Sequence, residues 1–303
     1  MSKTLIIVNP HAGSGRAWRV WRELESTLWQ RLGDLIVVIT KNPAEVTHHI
    51  TEAYNVGVRQ VISIGGDGTN HALVNTLVAF NRQQASGDPM IYGNIAIGTG
   101  HDFARGQNIP VRDLKEITDW IVRAEPKPTD IGMLTTGNTR EYFLNIASAG
   151  IGGDVAQRVN RRKIRRPWTF LQSTINAIVS HRPQPLEVTL DGKAWYEGRA
   201  YAVAVANGTT FGRGMKIAPD ARIADGLFDV VLIKGVSRLT VLAALKRVYD
   251  GTHLTHPAVM SARAAEVFIH SPRGNINMEL DGEFASGQDV TFSVQPGQLQ
   301  MLL

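Results

Sequence analysis

Seven residues decide how this chain reads: Ile64-Gly65-Gly66-Asp67-Gly68-Thr69-Asn70. The apolar run Val61 to Ile64 before them is a β-strand pattern, and Thr69 to Phe80 after them is a helix pattern. Three glycines between the two are more conformational freedom than a plain strand-to-helix turn requires. Glycine lets backbone approach a ligand closely, and the first turn of a following helix offers unpaired N–H groups to an anion. The loop therefore reads as a phosphate cradle. Asp67 is the odd member, because a carboxylate repels phosphate unless a divalent cation lies between them. Mg²⁺ prefers one or two carboxylates alongside water and phosphate oxygens. A nucleoside triphosphate with Mg²⁺ fits that arrangement.

The same strand–glycine loop–helix pattern recurs on either side. Thr4 to Val8 runs into Asn9-Pro10-His11-Ala12-Gly13-Ser14-Gly15 and then a helix from Arg16 to Leu32. Asn94 to Ile97 runs into Gly98-Thr99-Gly100-His101-Asp102. By itself Asn9–Gly15 serves equally well as a tight turn. Leu35 to Ile39 is a further strand. Asn42-Pro43-Ala44-Glu45 starts a helix, with Asn as N-cap, Pro at the first position and Glu at the third. Strands alternating with helices predict a parallel sheet with right-handed crossovers, whose strand-end loops line a ligand crevice.

From Lys127 the pattern turns to short β runs: Tyr142 to Ile146, Leu186 to Leu190, Tyr201 to Val205, Phe228 to Ile233, Glu266 to Ile269 and Ile276 to Leu280. Helical segments near Trp168–Ser180 and Val236–Tyr249 interrupt them. Glu125-Pro126-Lys127-Pro128 is the expected linker. The reading is α/β: residues 1–126 as a parallel-sheet domain and 127–298 as a mainly antiparallel β domain. Asp-Gly pairs at 67, 191, 225, 250 and 281 punctuate the chain. Asp191-Gly192 reads as a hairpin turn, and Asp281-Gly282 reads equally as one.

The 303 residues suit two domains, each with its own core. At 43% hydrophobic and 19% charged, the chain is globular rather than disordered. The absence of cysteine excludes a disulfide scaffold, a thiolate zinc site and a cysteine nucleophile. The run Leu5-Ile6-Ile7-Val8 is too short for a signal-peptide core, and no apolar stretch reaches membrane-spanning length. A cytoplasmic protein is expected. No Gly-x-x-x-x-Gly-Lys-Ser/Thr occurs, and Trp18, His71 and Phe103 stand where the third glycine of a dinucleotide fingerprint belongs. His48-His49 and His253 with His256 lack a third ligand for zinc. No motif specifies an oligomeric state.

With these blocks in hand, the chain resembles the diacylglycerol kinase catalytic-domain family, in its bacterial lipid-kinase branch. Gly65-Gly66-Asp67-Gly68-Thr69 is similar to the signature that this family shares with sphingosine kinases, NAD kinases and, loosely, phosphofructokinases. Gly98-Thr99-Gly100-His101-Asp102-Phe103-Ala104-Arg105 resembles its Gly-Thr-x-Asn-Asp-Phe-Ala-Arg block. Asn145 to Gly153, Pro219-Asp220-Ala221, Asp225 to Asp229 and Asp281-Gly282-Glu283 follow in family order. Two positions depart from it: His101 replaces the usual Asn, and Arg213 interrupts a usual run of three glycines at 212–214.

The resemblance implies a phosphofructokinase-like N-terminal α/β domain binding ATP and a C-terminal antiparallel β-sandwich binding a lipid. The strand near 299–303 would rejoin the first domain. It implies an ATP- and Mg²⁺-dependent lipid kinase of phospholipid metabolism, acting on a lipid alcohol such as diacylglycerol. A kinase for a soluble acceptor such as NAD, or a non-catalytic nucleotide-binding regulator, are the alternatives. By the same resemblance Asn9, Thr40, Gly65, Gly66, Gly68, Thr69, Thr99 and Asp102 contact ATP, and Asp67 supports Mg²⁺. Glu283 is the implied general base. Asp225, with the carbonyls of Arg222 and Leu227, would hold a structural Mg²⁺, though Asp225-Gly226 also reads as a surface turn.

One segment concentrates the charge. Arg158, Arg161, Arg162, Lys163, Arg165 and Arg166 account for six of the 32 Lys and Arg residues, and no acid occurs between Val155 and Leu186. Without these six the chain has one more acid than base. Trp168 follows after Pro167. Basic residues beside an aromatic suit peripheral docking on an anionic membrane surface, here the inner face. A solvated helix face is the plainer reading. No nucleic-acid-binding module accompanies the run, so no nucleic-acid partner is expected.

Overall fold

A computed structural model describes residues 3–84, 87–98, 100–160 and 169–303. The chain divides into two compact units, Met1–Thr129 with Gly297–Leu303, and Asp130–Pro296.

The first unit opens β1 (Thr4–Val8), α1 (Ala12–Leu32), β2 (Leu35–Ile39), α2 (Pro43–Asn55), β3 (Gln60–Gly65), α3 (Asp67–Gln83) and β4 (Ile91–Ala96). Short α4 (Asp102–Gly106) and α5 (Leu114–Arg123) follow. All five residues of β1 are buried, as expected for a central strand covered on both faces. β1 pairs in parallel with β2 and β3, and β3 pairs in parallel with β4. Ile6, Val8, Ile62, Ile64 and Ile95 share one core with Val20, Trp21, Leu24 and Leu28 of α1 and Ile117 and Ile121 of α5. Each such fully buried side chain contributes roughly 1.5–3 kcal/mol of transfer free energy. Gly13, Ser14 and Gly15 have φ of 58°, 58° and 84°, so the regular part of α1 starts at Arg16.

The chain continues through β5 (Pro126–Thr136), β6 (Thr139–Phe143), β7 (Ile146–Gly150), α6 (Ile151–Asn160), α7 (Thr169–Ser180), β8 (Gln184–Leu190) and β9 (Lys193–Ala206). Then come β10 (Phe228–Lys234), α8 (Arg238–Asp250), β11 (Val259–Ala264), β12 (Glu266–His270), β13 (Ile276–Leu280), β14 (Glu283–Gly287) and β15 (Asp289–Leu302). In the second unit the strands run antiparallel in the order β14-β13-β7-β9-β8-β12-β15. The long β9 serves two sets of partners. Lys193 to Ala200 pair with β8, while Ala202 to Ala206 pair with β7 and β10. Leu134, Phe143, Val203, Phe228, Val267, Met278 and Phe292 form the sandwich core. The end of β15 belongs to the first unit, where Gln300 and Met301 pair in parallel with Ile91 and Tyr92.

Three sequence expectations are corrected. The expected linker Glu125–Pro128 contains the start of β5. The single expected strand Tyr142–Ile146 is split between β6 and β7. Its break is fixed from a distance: the backbone N–H groups of Leu144, Asn145 and Ile146 all donate to the Asp281 carboxylate, at 2.7, 3.0 and 3.1 Å. Helix α6 was not anticipated, because its first turn, Ile151-Gly152-Gly153, has the composition of a loop.

Candidate active-site loops

In the first unit the glycine loops converge on Asp67. Gly65 leaves room for the Thr69 side chain, whose atoms lie 2.6 Å from where a Gly65 Cβ would sit. Asn9 Nδ2 donates to Thr69 Oγ1 at 2.9 Å, tying the first loop to the second. The Asn9 Oδ1 accepts from the His11 N–H at 3.1 Å, which turns the chain out of β1. Gly66 caps α3, accepting from the Asn70 N–H at 2.9 Å, and Asp67 occupies the first helical turn. The third loop is drawn in by the Ile97 N–H, which donates to the Gly65 carbonyl at 2.6 Å.

Gly100 shows what the loops assemble. The point a Cβ at Gly100 would fill lies 3.1 Å from Asp67 Oδ2 and 3.2 Å from Asp102 Oδ2. Two carboxylate oxygens thus face a cradle that only glycine leaves open, and hard oxygen donors of this kind suit Mg²⁺. Arg105 holds Asp102 from the other side, 2.8 Å from its Oδ1.

Two other expected nucleotide contacts stand differently. Thr40 is buried, its hydroxyl donating to Glu45 Oε2 at 2.6 Å and accepting from the Asn42 N–H at 3.0 Å. Bonds from Thr40 and then Asn42 hold the Glu45 carboxyl below its usual value. Thr40 thus spends its side chain on the start of α2. Thr99 lies outside the described residues, as do Arg161, Arg162, Lys163, Arg165, Arg166 and Trp168.

His101 stands at φ 52°, a left-handed position. Burial, followed by the charges of Arg16 and Arg105, pushes its pKa down against smaller opposing effects of Asp102 and Ala96. Its charged form is therefore disfavoured.

In the second unit Asp281-Gly282 forms a hairpin turn between β13 and β14, with φ of 50° and 94°. It also does more. The Asp281 carboxylate pins residues 144–146, as above. Buried Glu279 accepts from the Gly282 N–H at 2.8 Å and from Ser148 Oγ at 3.2 Å. These bonds fix the strand start at which half-buried Glu283 sits. The sequence reading missed both Asp281 and Glu279 as anchors, because the strand segments they hold, at 144–146 and at Ser148, lie more than 100 residues away.

The Asp225 region is arranged around an arginine. Asp225 Oδ1 accepts from the Leu227 N–H at 3.2 Å, and its Oδ2 is ion-paired with Arg263. Arg263 Nε also lies 3.7 Å from Asp229 Oδ2. Burial raises the Asp229 pKa; Arg263 opposes this, while Asp225 and Asp220 add to it. Both Asp225 oxygens thus accept from the chain's own donors, and each keeps a second lone pair for the cation that Asp225 and the Arg222 and Leu227 carbonyls would hold. The spacing of 38 residues between Asp225 and Arg263 left no signal in the sequence.

A buried polar pair escaped the sequence reading too. His181, with its side chain 4% exposed, shares a 2.7 Å hydrogen bond with Asp154 Oδ2 through Nδ1, while Asn277 Nδ2 donates to Asp154 Oδ1 at 2.7 Å.

Glycine loops around paired carboxylates on a parallel sheet, carried in one chain with an antiparallel sandwich, define a two-domain kinase. Residues 3–134 match the diacylglycerol kinase catalytic domain. Residues 145–303, over half of the chain, match the YegS C-terminal NAD kinase beta sandwich-like domain. The chain belongs to this family, the diacylglycerol kinase-type lipid kinases with a YegS-like C-terminal domain. A Mycobacterium tuberculosis protein named diacylglycerol kinase is 27% identical over 304 residues, covering 100% of this chain and 95% of its own. A Bacillus subtilis protein of the same name is 25% identical over 288 residues, covering 94% and 90%. A solved diacylglycerol kinase structure from Bacillus anthracis has a TM-score of 0.73, covering 99% of this chain and 96% of its own. At 21% identity it speaks for the fold alone.

Proposed function

We propose that the protein transfers the γ-phosphate of ATP to the hydroxyl of a membrane lipid such as diacylglycerol, with Mg²⁺. The observation that carries this reading is the convergence of the Asp67 and Asp102 oxygens over Gly100, beside loops with the composition of a phosphate cradle. Asn9, Gly65, Gly66, Gly68, Thr69 and Thr99 orient the nucleotide, with Thr40 supporting them through the start of α2. When bound, Mg²⁺ offsets the negative charge that builds on the phosphate oxygens during transfer. Asp67 and Asp102 are the residues that would hold it. Glu283 takes the proton from the lipid hydroxyl as that oxygen bonds to the γ-phosphorus and the bond to the ADP oxygen breaks.

Family membership and the names of the relatives support a lipid as acceptor. Among the described residues, no helix is long and apolar enough to cross a membrane. We place the enzyme in the cytoplasm, peripheral at an anionic membrane surface through the basic run at 158–166 and Trp168. The test is transfer of labelled γ-phosphate to lipids in mixed micelles, with NAD in the same panel because the C-terminal domain's description includes NAD kinase. Labelling of diacylglycerol or another lipid alcohol, dependent on Mg²⁺, is the expected result. Labelling of NAD alone, or no transfer with ATP binding intact, overturns the reading.

A further inference from the structure

A cavity of about 260 Å³ lies in the first unit between α1 and the segment entering α5. Arg16, Arg19 and Arg112 line it, together with Glu23. Its floor is apolar, including Val20, Ile97 and Ile117. Arg16, Arg19 and Glu23 recur along one stripe of α1 at helical spacing, and Arg112 faces them from the loop before Asp113, the N-cap of α5. None of the three arginines has a carboxylate within ion-pair distance among the described residues, although other arginines of this unit do: Arg31, Arg105 and Arg123. Even Glu23, four residues after Arg19, forms no ion pair with it. Three guanidinium groups around one concavity repel each other, an arrangement that a bound anion relieves.

The place adjoins the carboxylate cradle: Arg16 directly follows the first glycine loop, and its charge reaches His101 in the third. The cradle is built by the loops around Asp67 and Gly100, whereas this cavity is built by α1 and the approach to α5. Ile97, just before the third loop, is where the two adjoin.

We propose that Arg16, Arg19 and Arg112 form a second binding site, for the phosphate group of a small ligand bearing a hydroxyl beside it, as in a glycerophosphate. Arginine forks bind phosphate bidentately, and Glu23 accepts the neighbouring hydroxyl. The cavity volume suits a headgroup rather than a nucleotide. Such a phosphate has two sources, a free glycerol phosphate or the headgroup of an anionic phospholipid, and both present the same chemistry. The proposal stands apart from the kinase reading, since it uses neither Asp67 nor Glu283.

The experiment uses the full chain and two double variants, Arg19→Ala/Arg112→Ala and Arg19→Lys/Arg112→Lys. Both Arg19 and Arg112 are exposed in the wild type, so the fold is retained, as thermal melting verifies. Calorimetric titration with inorganic phosphate and glycerol 3-phosphate reads the soluble source. Co-sedimentation with phosphatidylcholine vesicles, with and without phosphatidylglycerol, reads the lipid source. The alanine variant is expected to lose at least about tenfold in one arm, with the lysine variant restoring little of it because a point charge lacks the fork. Loss in the soluble arm assigns a free phosphate ester; loss only with phosphatidylglycerol assigns the headgroup. Unchanged binding in both arms, or full restoration by lysine, overturns the proposal. So does an equal loss of ATP affinity in the alanine variant, which would make the cavity part of the nucleotide site.

Discussion

His101 and Arg213, the two departures from the family pattern, share a cause visible in the backbone. His101 sits at φ 52°, and Gly212, Arg213 and Gly214 sit at 59°, 69° and 99°. Left-handed backbone favours Gly, then Asn, with His also enriched among the exceptions. The usual Asn and the usual glycine run are therefore demands of conformation, which these two side chains meet at some strain. His101→Asn should preserve activity and change neutral-pH stability by less than about 0.5 kcal/mol. The pH dependence has a definite sign. A histidine whose folded pKa is depressed binds its proton more readily when unfolded. Wild-type stability should therefore fall relative to His101→Asn as pH drops below 6.5, the ordinary value, and be level with it above. Melting at pH 8 and pH 5.5 measures this. Arg213→Gly relieves left-handed strain at the cost of unfolded-state entropy, so it should lie between 0 and about +1 kcal/mol. Gly214→Ala, with strain and no compensation, should lose about 1 kcal/mol or more in the same denaturation series.

At the scale of elements, the helix α6 is held by contacts that its sequence does not advertise. A Cβ at Gly153 would meet the Asn277 and Met278 backbone of β13, and one at Gly152 would meet Ser148 of β7, so two glycines let α6 lie directly on these two strands. Asp154, next along, ties α6 to His181 after α7 and to Asn277 on β13. Burial pushes the Asp154 carboxyl up, but bonds from His181 and Asn277, with the charge of Arg158, outweigh it and leave it below its usual value. Asp154→Asn should cost about 1–3 kcal/mol at pH 7. A carboxylate with a depressed folded pKa stabilises above its unfolded value, 3.8, and loses that contribution as pH falls through the folded one. The gap between wild type and Asp154→Asn in urea midpoints should be full at pH 5 and close below pH 3.8. A gap that widens on acidification would refute this. Asp281→Ala unpins three backbone N–H groups at once and should cost about 2–4 kcal/mol, read by the same denaturation.

These elements also mark how far the chain could be read without coordinates. The parallel sheet, its three glycine loops and the α2 start were legible because every signal is local: apolar runs of five residues, glycine after a strand, Asn42 before Pro43. The antiparallel character of the second half was legible from short β runs and Asp-Gly turns, and Asp281-Gly282 proved to be a turn as well as an anchor. What escaped was long-range. The break after Phe143 depends on Asp281, the neutralisation of Asp225 on Arg263, and the helical state of Gly152-Gly153 on a neighbouring strand. Asp281 lies 135 to 137 residues from the N–H groups it holds, Arg263 lies 38 from Asp225, and the Asn277 and Met278 backbone that Gly153 packs on lies more than 100 residues away.

For the whole molecule, the decisive prediction concerns a division of labour between its two units. Asp67 and Asp102 belong to the first unit and Glu283 to the second. If phosphoryl transfer uses a cation held at Asp67 and a base at Glu283, the two residues must fail in different ways. Glu283→Gln keeps size and hydrogen bonding but cannot take a proton. Its kcat should fall by about 10²–10⁴-fold while calorimetric ATP affinity stays within about twofold of wild type. Asp67→Asn removes one charged oxygen from the cradle over Gly100. It should move the Mg²⁺ concentration for half-maximal ATP binding upward by at least about tenfold, and chelation with EDTA should abolish turnover in every variant. The two effects separate cleanly only if base and cation site are independent at the binding step and coupled at the chemical one. A Glu283→Gln enzyme that turns over at the wild-type rate removes the general base from the scheme. An Asp67→Asn enzyme with unaltered Mg²⁺ dependence removes the cation from the cradle, whatever its effect on kcat.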